Sequence, residues 1–145
     1  MGIHFREVER KDKEFILNAN KEINLLSGLF DSTFEHNIDK DLFEDKICKV
    51  IIAEEDSFAI GFVLYSYIYW ANCGKGIYLS QVYVKKEYRN KGVFKMLLTE
   101  LELREGSCKF IIDLVGNENR VMLNSMKKLG FKSSDLITFY KMINK

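Results

Sequence analysis

The sequence predicts an α/β domain built on a mixed sheet. Three observations lead there. Several extended runs alternate apolar and polar residues, amphipathic helical stretches sit between them, and the second half reads strand, helix, strand. A strand–helix–strand unit needs a right-handed crossover, so its two strands are expected to be parallel neighbours. The hairpins of the first half are antiparallel.

Ile3 to Val8 alternates apolar and polar residues and suits a half-buried strand. From Lys11 to Leu26, Phe15, Ile16, Ala19, Ile23 and Leu26 recur at helical spacing, and Gly28 is placed to end that helix. Asp39 is a candidate cap for a second, short helix carrying Leu42, Phe43 and Ile47. Val50 to Glu54 and Ser57 to Trp70 read as strands around a Glu55–Asp56 turn. In the longer strand Phe58, Ile60, Phe62, Leu64, Ile68 and Trp70 fall on one face, opposite Tyr65, Tyr67 and Tyr69.

Ile77 to Val84 is a further strand after the turn from Asn72 to Gly76. Lys91 to Arg104 is predicted helical, with Phe94, Leu97, Leu98 and Leu101 on one stripe. Cys108 to Val115 is a strand, Glu118 to Leu129 a helix ended by Gly130, and Ile137 to Ile143 a last strand. The order is β-α-α-β-β-β-α-β-α-β.

With 145 residues and 47% hydrophobic content, the chain has the size and apolar material of one domain spanning residues 1–145. The formal net charge of +1 argues against a nucleic-acid-binding role. The stretch Phe58 to Trp70 is too short to cross a bilayer, and no leader-like apolar region opens the chain, so a cytoplasmic protein without membrane partners is expected. Cys48, Cys73 and Cys108 form neither a disulfide framework nor a metal knuckle, His4 and His36 are isolated, and no metal is expected.

The chemistry concentrates between Ile77 and Leu98. A strand runs into a basic turn, Arg89-Asn90-Lys91-Gly92, and the turn runs directly into a helix. The first amides of a helix lack intrahelical partners and carry partial positive charge, which suits an anion such as phosphate. Gly92 keeps a Cβ out of the anion's way. Residues 85 to 95 carry five basic side chains against Glu87 alone. A charged turn before an ordinary amphipathic helix would look the same locally. GxxxxGK[ST] and GxGxxG are both absent, which argues against nucleoside triphosphates and dinucleotides.

A strand followed by Val84-x-x-x-Tyr88-Arg89-x-x-Gly92 and an apolar helix resembles motif A of the GNAT N-acetyltransferases. Asn119 through Leu129-Gly130-Phe131 is similar to the family's later helix. Softer likenesses point to the spermidine/spermine (diamine) branch: Asn37 to Leu42, Tyr65-Ser66-Tyr67, Ile77 to Leu79, and Gly130 to Leu136.

The resemblance implies the GNAT-type acyl-CoA N-acyltransferase fold, a mixed central sheet of six to seven strands flanked by four helices. It implies acetyl-CoA as co-substrate, lying in a split between two parallel strands. Val82, Tyr83 and Val84 would meet the pantetheine and acetyl end. Arg89, Asn90, Lys91, Gly92, Val93 and Phe94 would hold the pyrophosphate, and Asn119 would meet the pantetheine arm. Periodicity also offers Phe94 as a packing residue. The acceptor would be a primary amine of a small molecule, polyamine or lysine-like, and the protein a homodimer.

The chain departs from the family pattern in two places. Met126 stands where the family carries a Tyr proton donor, and a thioether donates no proton. Ser80 and Gln81 stand where the diamine branch carries acids. Ser125, Tyr83 and Tyr140 are the candidate substitutes, and a CoA-binding module with weak or lost catalysis is the alternative reading. Nine acids between residues 31 and 56 would draw a cationic amine toward the acceptor side, or simply form a solvated face.

Overall fold

The structure, a computed structural model, describes residues 2–27, 38–139, 141 and 143, with the side chains of 24–27 excepted. Met1–Leu114 and Val115–Lys145 form two compact units.

In the first unit the element order is β1 (Ile3–Glu7), α1 (Lys13–Ser27), α2 (Asp39–Glu44), β2 (Lys49–Glu55), β3 (Phe58–Trp70), β4 (Gly74–Val84), α3 (Val93–Arg104) and β5 (Ile111–Asp113). The strands form one sheet in the order β1-β2-β3-β4-β5. The first four are antiparallel neighbours, and β5 pairs with β4 in parallel, as the crossover requires. Five strands among the described residues is fewer than the six to seven expected.

Helices cover both faces of the sheet. Ile16, Leu17 and Ala19 of α1 and Leu42 of α2 join Val50, Ile52, Phe62 and Leu64 in one buried cluster. On the other face α3 packs against β2, β3 and β4. Residues 60 to 65 of β3 are therefore buried on both faces, where the alternation pointed to a single apolar face. Val93, Leu97, Leu98 and Leu101 form the buried stripe of α3, while Phe94 is only half-buried.

Local details correct several boundaries. The β2–β3 turn is Asp56–Ser57, both residues at positive φ (51° and 68°), which is the two-residue hairpin geometry. Asp39 does not cap α2; its carboxylate accepts from Lys13 Nζ at 2.7 Å. Helix α2 stops at Glu44, which leaves Ile47 exposed. Gly28 and residues 29–37, His36 among them, lie outside the described residues.

The second unit holds α4 (Arg120–Lys128). Asn119 caps it, accepting from the Met122 amide at 3.1 Å. Gly130, at φ 91°, closes it: the Gly130 amide donates to the Lys127 carbonyl and the Phe131 amide to that of Met126. The strand expected over Ile137–Ile143 is absent among the described residues, where Ile137, Phe139 and Ile143 are exposed. Alternation creates a strand only where a neighbour supplies a hydrogen-bonding edge.

Candidate active site

β5 is three residues long where eight were expected, and this opens the site. It pairs with β4 only through Ile77–Ile111, Tyr78–Ile112 and Leu79–Asp113. Beyond Leu79, β4 runs on to Val84 with no strand beside it on that side among the described residues.

Hydrogen-bond parity decides which backbone groups face the open edge. The Lys85 amide donates to the Ile60 carbonyl at 2.8 Å. Antiparallel ladders alternate bonded and non-bonded pairs. Tyr83–Phe62 and Gln81–Leu64 are therefore bonded pairs, and Val84–Gly61 and Val82–Val63 are not. The N–H and C=O groups of Val82 and Val84 thus turn toward the open edge. Ser80 is the extra residue of a bulge between Leu64 and Tyr65, at the point where the two parallel strands part company.

The strand ends in a short turn, Lys86–Tyr88, and then the loop Arg89–Gly92. Asn90 (φ 63°) and Gly92 (φ 80°) are left-handed, and Gly92 is the N-cap of α3. The first intrahelical bond is from the Met96 amide to the Gly92 carbonyl at 3.0 Å. The amides of Val93, Phe94 and Lys95 precede it and lack helical partners. No atom outside the loop lies within 4 Å of the position a Gly92 Cβ would take. The first turn of α3 holds no acid. Open amides, room and basic surroundings fit a phosphate.

The side chains on the α1 side are more committed than spacing suggested. Gln81 donates to Asn20 Oδ1 at 3.0 Å. The Tyr83 ring meets Phe15 and Phe62 edge-on or tilted, and its hydroxyl donates to Glu22 at 2.8 Å. Burial, then Glu22, pushes the Tyr83 phenol up. Arg89 turns back from the loop, donating through Nε to the Val84 carbonyl at 2.8 Å and through Nη2 to Glu22 at 2.9 Å. Glu22 and Arg89's bonds to Glu22 and the Val84 carbonyl carry no mark in the sequence pattern. Asn20, polar among the core positions Ile16, Ala19 and Ile23, was the sole hint; contacts spanning 61 and 67 residues leave no trace in local spacing.

Val82, Tyr83, Val84 and the loop Arg89–Phe94 all lie in the first unit. The Tyr83 backbone, however, is bonded to Phe62 and the Arg89 amide donates to the Lys86 carbonyl at 3.3 Å, which leaves Val82, Val84 and the amides from Asn90 onward for a ligand. Ser125, half-buried, Met126, buried, and Asn119 belong to the second unit. Tyr140 lies outside the described residues. The acidic region from 31 to 56 is partly neutralised: Asp39 pairs with Lys13, Asp45 with Lys40, and Glu54 with Arg6. Asp31 and Glu35 are among the residues not described. Tyr65 and Tyr67 both donate to Glu105 at 2.7 Å, a cluster at the far end of α3 from the loop. Among the described residues no group of acids, histidines and cysteines is arranged to hold a metal, and no helix is long and apolar enough to cross a membrane.

The family model of the acetyltransferase (GNAT) family matches residues 15–131. The chain belongs to the GNAT acetyltransferases. Thialysine N-epsilon-acetyltransferase from Sus scrofa is 32% identical over 79 residues, covering 52% of this chain and 46% of that protein, so the match spans about half of the relative's length. Among solved structures, a possible acetyltransferase from Clostridium difficile 630 shares the fold at a TM-score of 0.82 and 19% identity, covering 98% of this chain and 99% of its own. The aminoglycoside acetyltransferase AAC(6')-Iy, solved with a CoA-linked bisubstrate analogue, aligns at 0.76 and 21% identity over 99% of this chain and 100% of its own. Membership of the GNAT family and the GNAT fold are thereby established for this chain.

Proposed function

We propose that this GNAT acetyltransferase moves an acetyl group from acetyl-CoA to the primary amine of a small molecule, polyamine or lysine-like. The observation that carries the reading is the run from the open edge at Val82 and the Val84 amide into the free amides of α3. In it, Val82 and Val84 meet the pantetheine and acetyl end, the amides of Asn90 to Phe94 take the pyrophosphate, and Asn119 meets the pantetheine arm. Both units act as one acetyltransferase domain, in support of which the family match spans residues 15–131. The name of the pig relative supports an amine on a lysine-like side chain as acceptor. A homodimer in the cytoplasm accompanies this reading on family resemblance.

Positioning of amine against thioester supplies much of the rate, and a strand N–H near the acetyl carbonyl supplies oxyanion stabilisation. The amine arrives protonated and must lose a proton before attack, and the leaving thiolate takes one up. Ser125, Tyr83 and Tyr140 are the proposed hydroxyls for that transfer. Tyr83 stays protonated at neutral pH because burial and Glu22 disfavour its phenolate. A thiol-release assay with acetyl-CoA across an amine panel tests the reading. Turnover with a diamine or a lysine analogue supports it; no turnover with any amine overturns transfer.

The second reading, a CoA-binding module with weak or lost transfer, draws on Met126 at the usual donor position. Tight CoA binding without turnover would favour it.

A further inference from the structure

Glu22 is the point where three elements of the site meet. Its Oε1 accepts from Arg89 Nη2 at 2.9 Å and its Oε2 from the Tyr83 hydroxyl at 2.8 Å. Arg89 in turn donates to the Val84 carbonyl and lies with its guanidinium carbon 5.7 Å from the centre of the Tyr83 ring. One carboxylate of α1 therefore holds the end of β4 and the first residue of the loop that follows it.

Asn90 follows Arg89 directly in the left-handed conformation (φ 63°) that Asn adopts more readily than other non-glycine residues, so the loop's turn is set at the residue next to the anchor. An exposed ion pair by itself contributes little, but here the planar guanidinium fork and the phenol share one acceptor, so geometry is fixed at both ends. The Tyr83 and Arg89 bonds hold the Glu22 carboxyl below its usual range, which keeps it ionised and bonded at neutral pH.

We propose that Glu22 is a positioning residue: it anchors Arg89 and thereby pre-orders the amides from Asn90 to Phe94 for the pyrophosphate of acetyl-CoA. This rests on the acetyl-CoA reading above. The α1 helix contributes to cofactor binding without touching the cofactor. Arg89 serves as the strut of the loop, its side chain turned to α1, and the loop's backbone meets the anion.

Two measurements separate this inference from the reading beneath it. Backbone amide order parameters measured by NMR on the unliganded protein compare wild type with Glu22→Ala and Glu22→Gln. Residues 90 to 94 are expected to fall from the rigid range of about 0.85 toward about 0.6 in Glu22→Ala, with Glu22→Gln between, while Leu97 and Leu101 stay rigid. Calorimetric titration should give a Kd for CoA raised about threefold to tenfold in Glu22→Ala, and Glu22→Ala combined with Arg89→Lys should be little worse than either alone. Unchanged loop order parameters and unchanged CoA affinity in Glu22→Ala overturn the role of Glu22, as do fully additive losses in the double variant. Wild-type protein that fails to bind CoA, with the loop still less ordered in Glu22→Ala, overturns the acetyl-CoA reading and supports the anchor.

Discussion

Leu79 and Asp113 face each other across the last rung of the parallel pairing between β4 and β5. Leu79 is fully buried, and Asp113 beside it is a carboxyl drawn out of water. Burial pushes its pKa up to about 7, with the Leu114 amide pulling partly back. The rung marks where the two strands end their contact and the candidate site begins.

A raised carboxyl pKa has a definite sign. The folded protein binds the Asp113 proton more tightly than the unfolded chain, so stability falls as pH rises from the ordinary value of 3.8 toward about 7. Asp113→Asn should stabilise the protein above pH 7 by roughly 1 to 2 kcal/mol, a figure reduced because the residue is only half-buried. Denaturant melts at pH 4 and pH 8 test this, since the gain must shrink toward pH 4. An equal effect at both would place its origin in packing.

Acid acts oppositely on the Arg6–Asp12 pair. Both guanidinium nitrogens Nη1 and Nη2 donate to Asp12 at 2.8 Å, and the Glu9 amide also donates to that carboxylate at 2.8 Å. Burial alone would raise the Asp12 pKa, but Arg6 and the Glu9 amide outweigh it and hold it low. The stabilisation is present at neutral pH and is lost as pH falls below the usual carboxylate range. Asp12→Ala should cost about 1 to 2 kcal/mol at pH 7, since it removes two Arg6 bonds and the Glu9 amide's acceptor while Arg6 keeps Glu54, and much less near pH 2. Urea midpoints at the two pH values check both parts.

Gly92 should resist substitution for a backbone reason. No neighbour would clash with a Cβ, yet φ is 80°. Gly92→Ala is expected to cost about 1 kcal/mol and to weaken CoA binding several-fold as the loop shifts. Calorimetric titration with CoA beside a thermal melt measures both. Loss of stability with unchanged affinity would separate the loop from the phosphate.

The proton donor is found by deletion. Replacing the true donor among Ser125→Ala, Tyr83→Phe and Tyr140→Phe should lower kcat by about 100-fold or more while CoA affinity changes little. Turnover kept within about threefold in all three variants would remove all of them from that role.

Much of the site was legible because its signals are local. A strand, a basic turn with Gly92 and an apolar helix are contiguous, so adjacency in sequence is adjacency in space. The helix stripe of Leu97, Leu98 and Leu101 was readable from its period, although Val93 rather than Phe94 begins its buried side. What spacing could not supply were the partners: Arg89 looked like a phosphate contact, and its side chain bonds Glu22 and Val84.

The sequence by itself determined the order of elements from β1 to α4, the parallel return of β5 and the strand–turn–helix of the candidate anion site, because periodicity, turn residues and crossover handedness act within short stretches. Tertiary structure alone decided that β5 stops at Asp113, that Val82 and Val84 turn outward, and that Glu22 of α1 holds Arg89. Those depend on which strand finds a hydrogen-bonding edge and on contacts between distant residues, and neither quantity is written in any one segment of the chain.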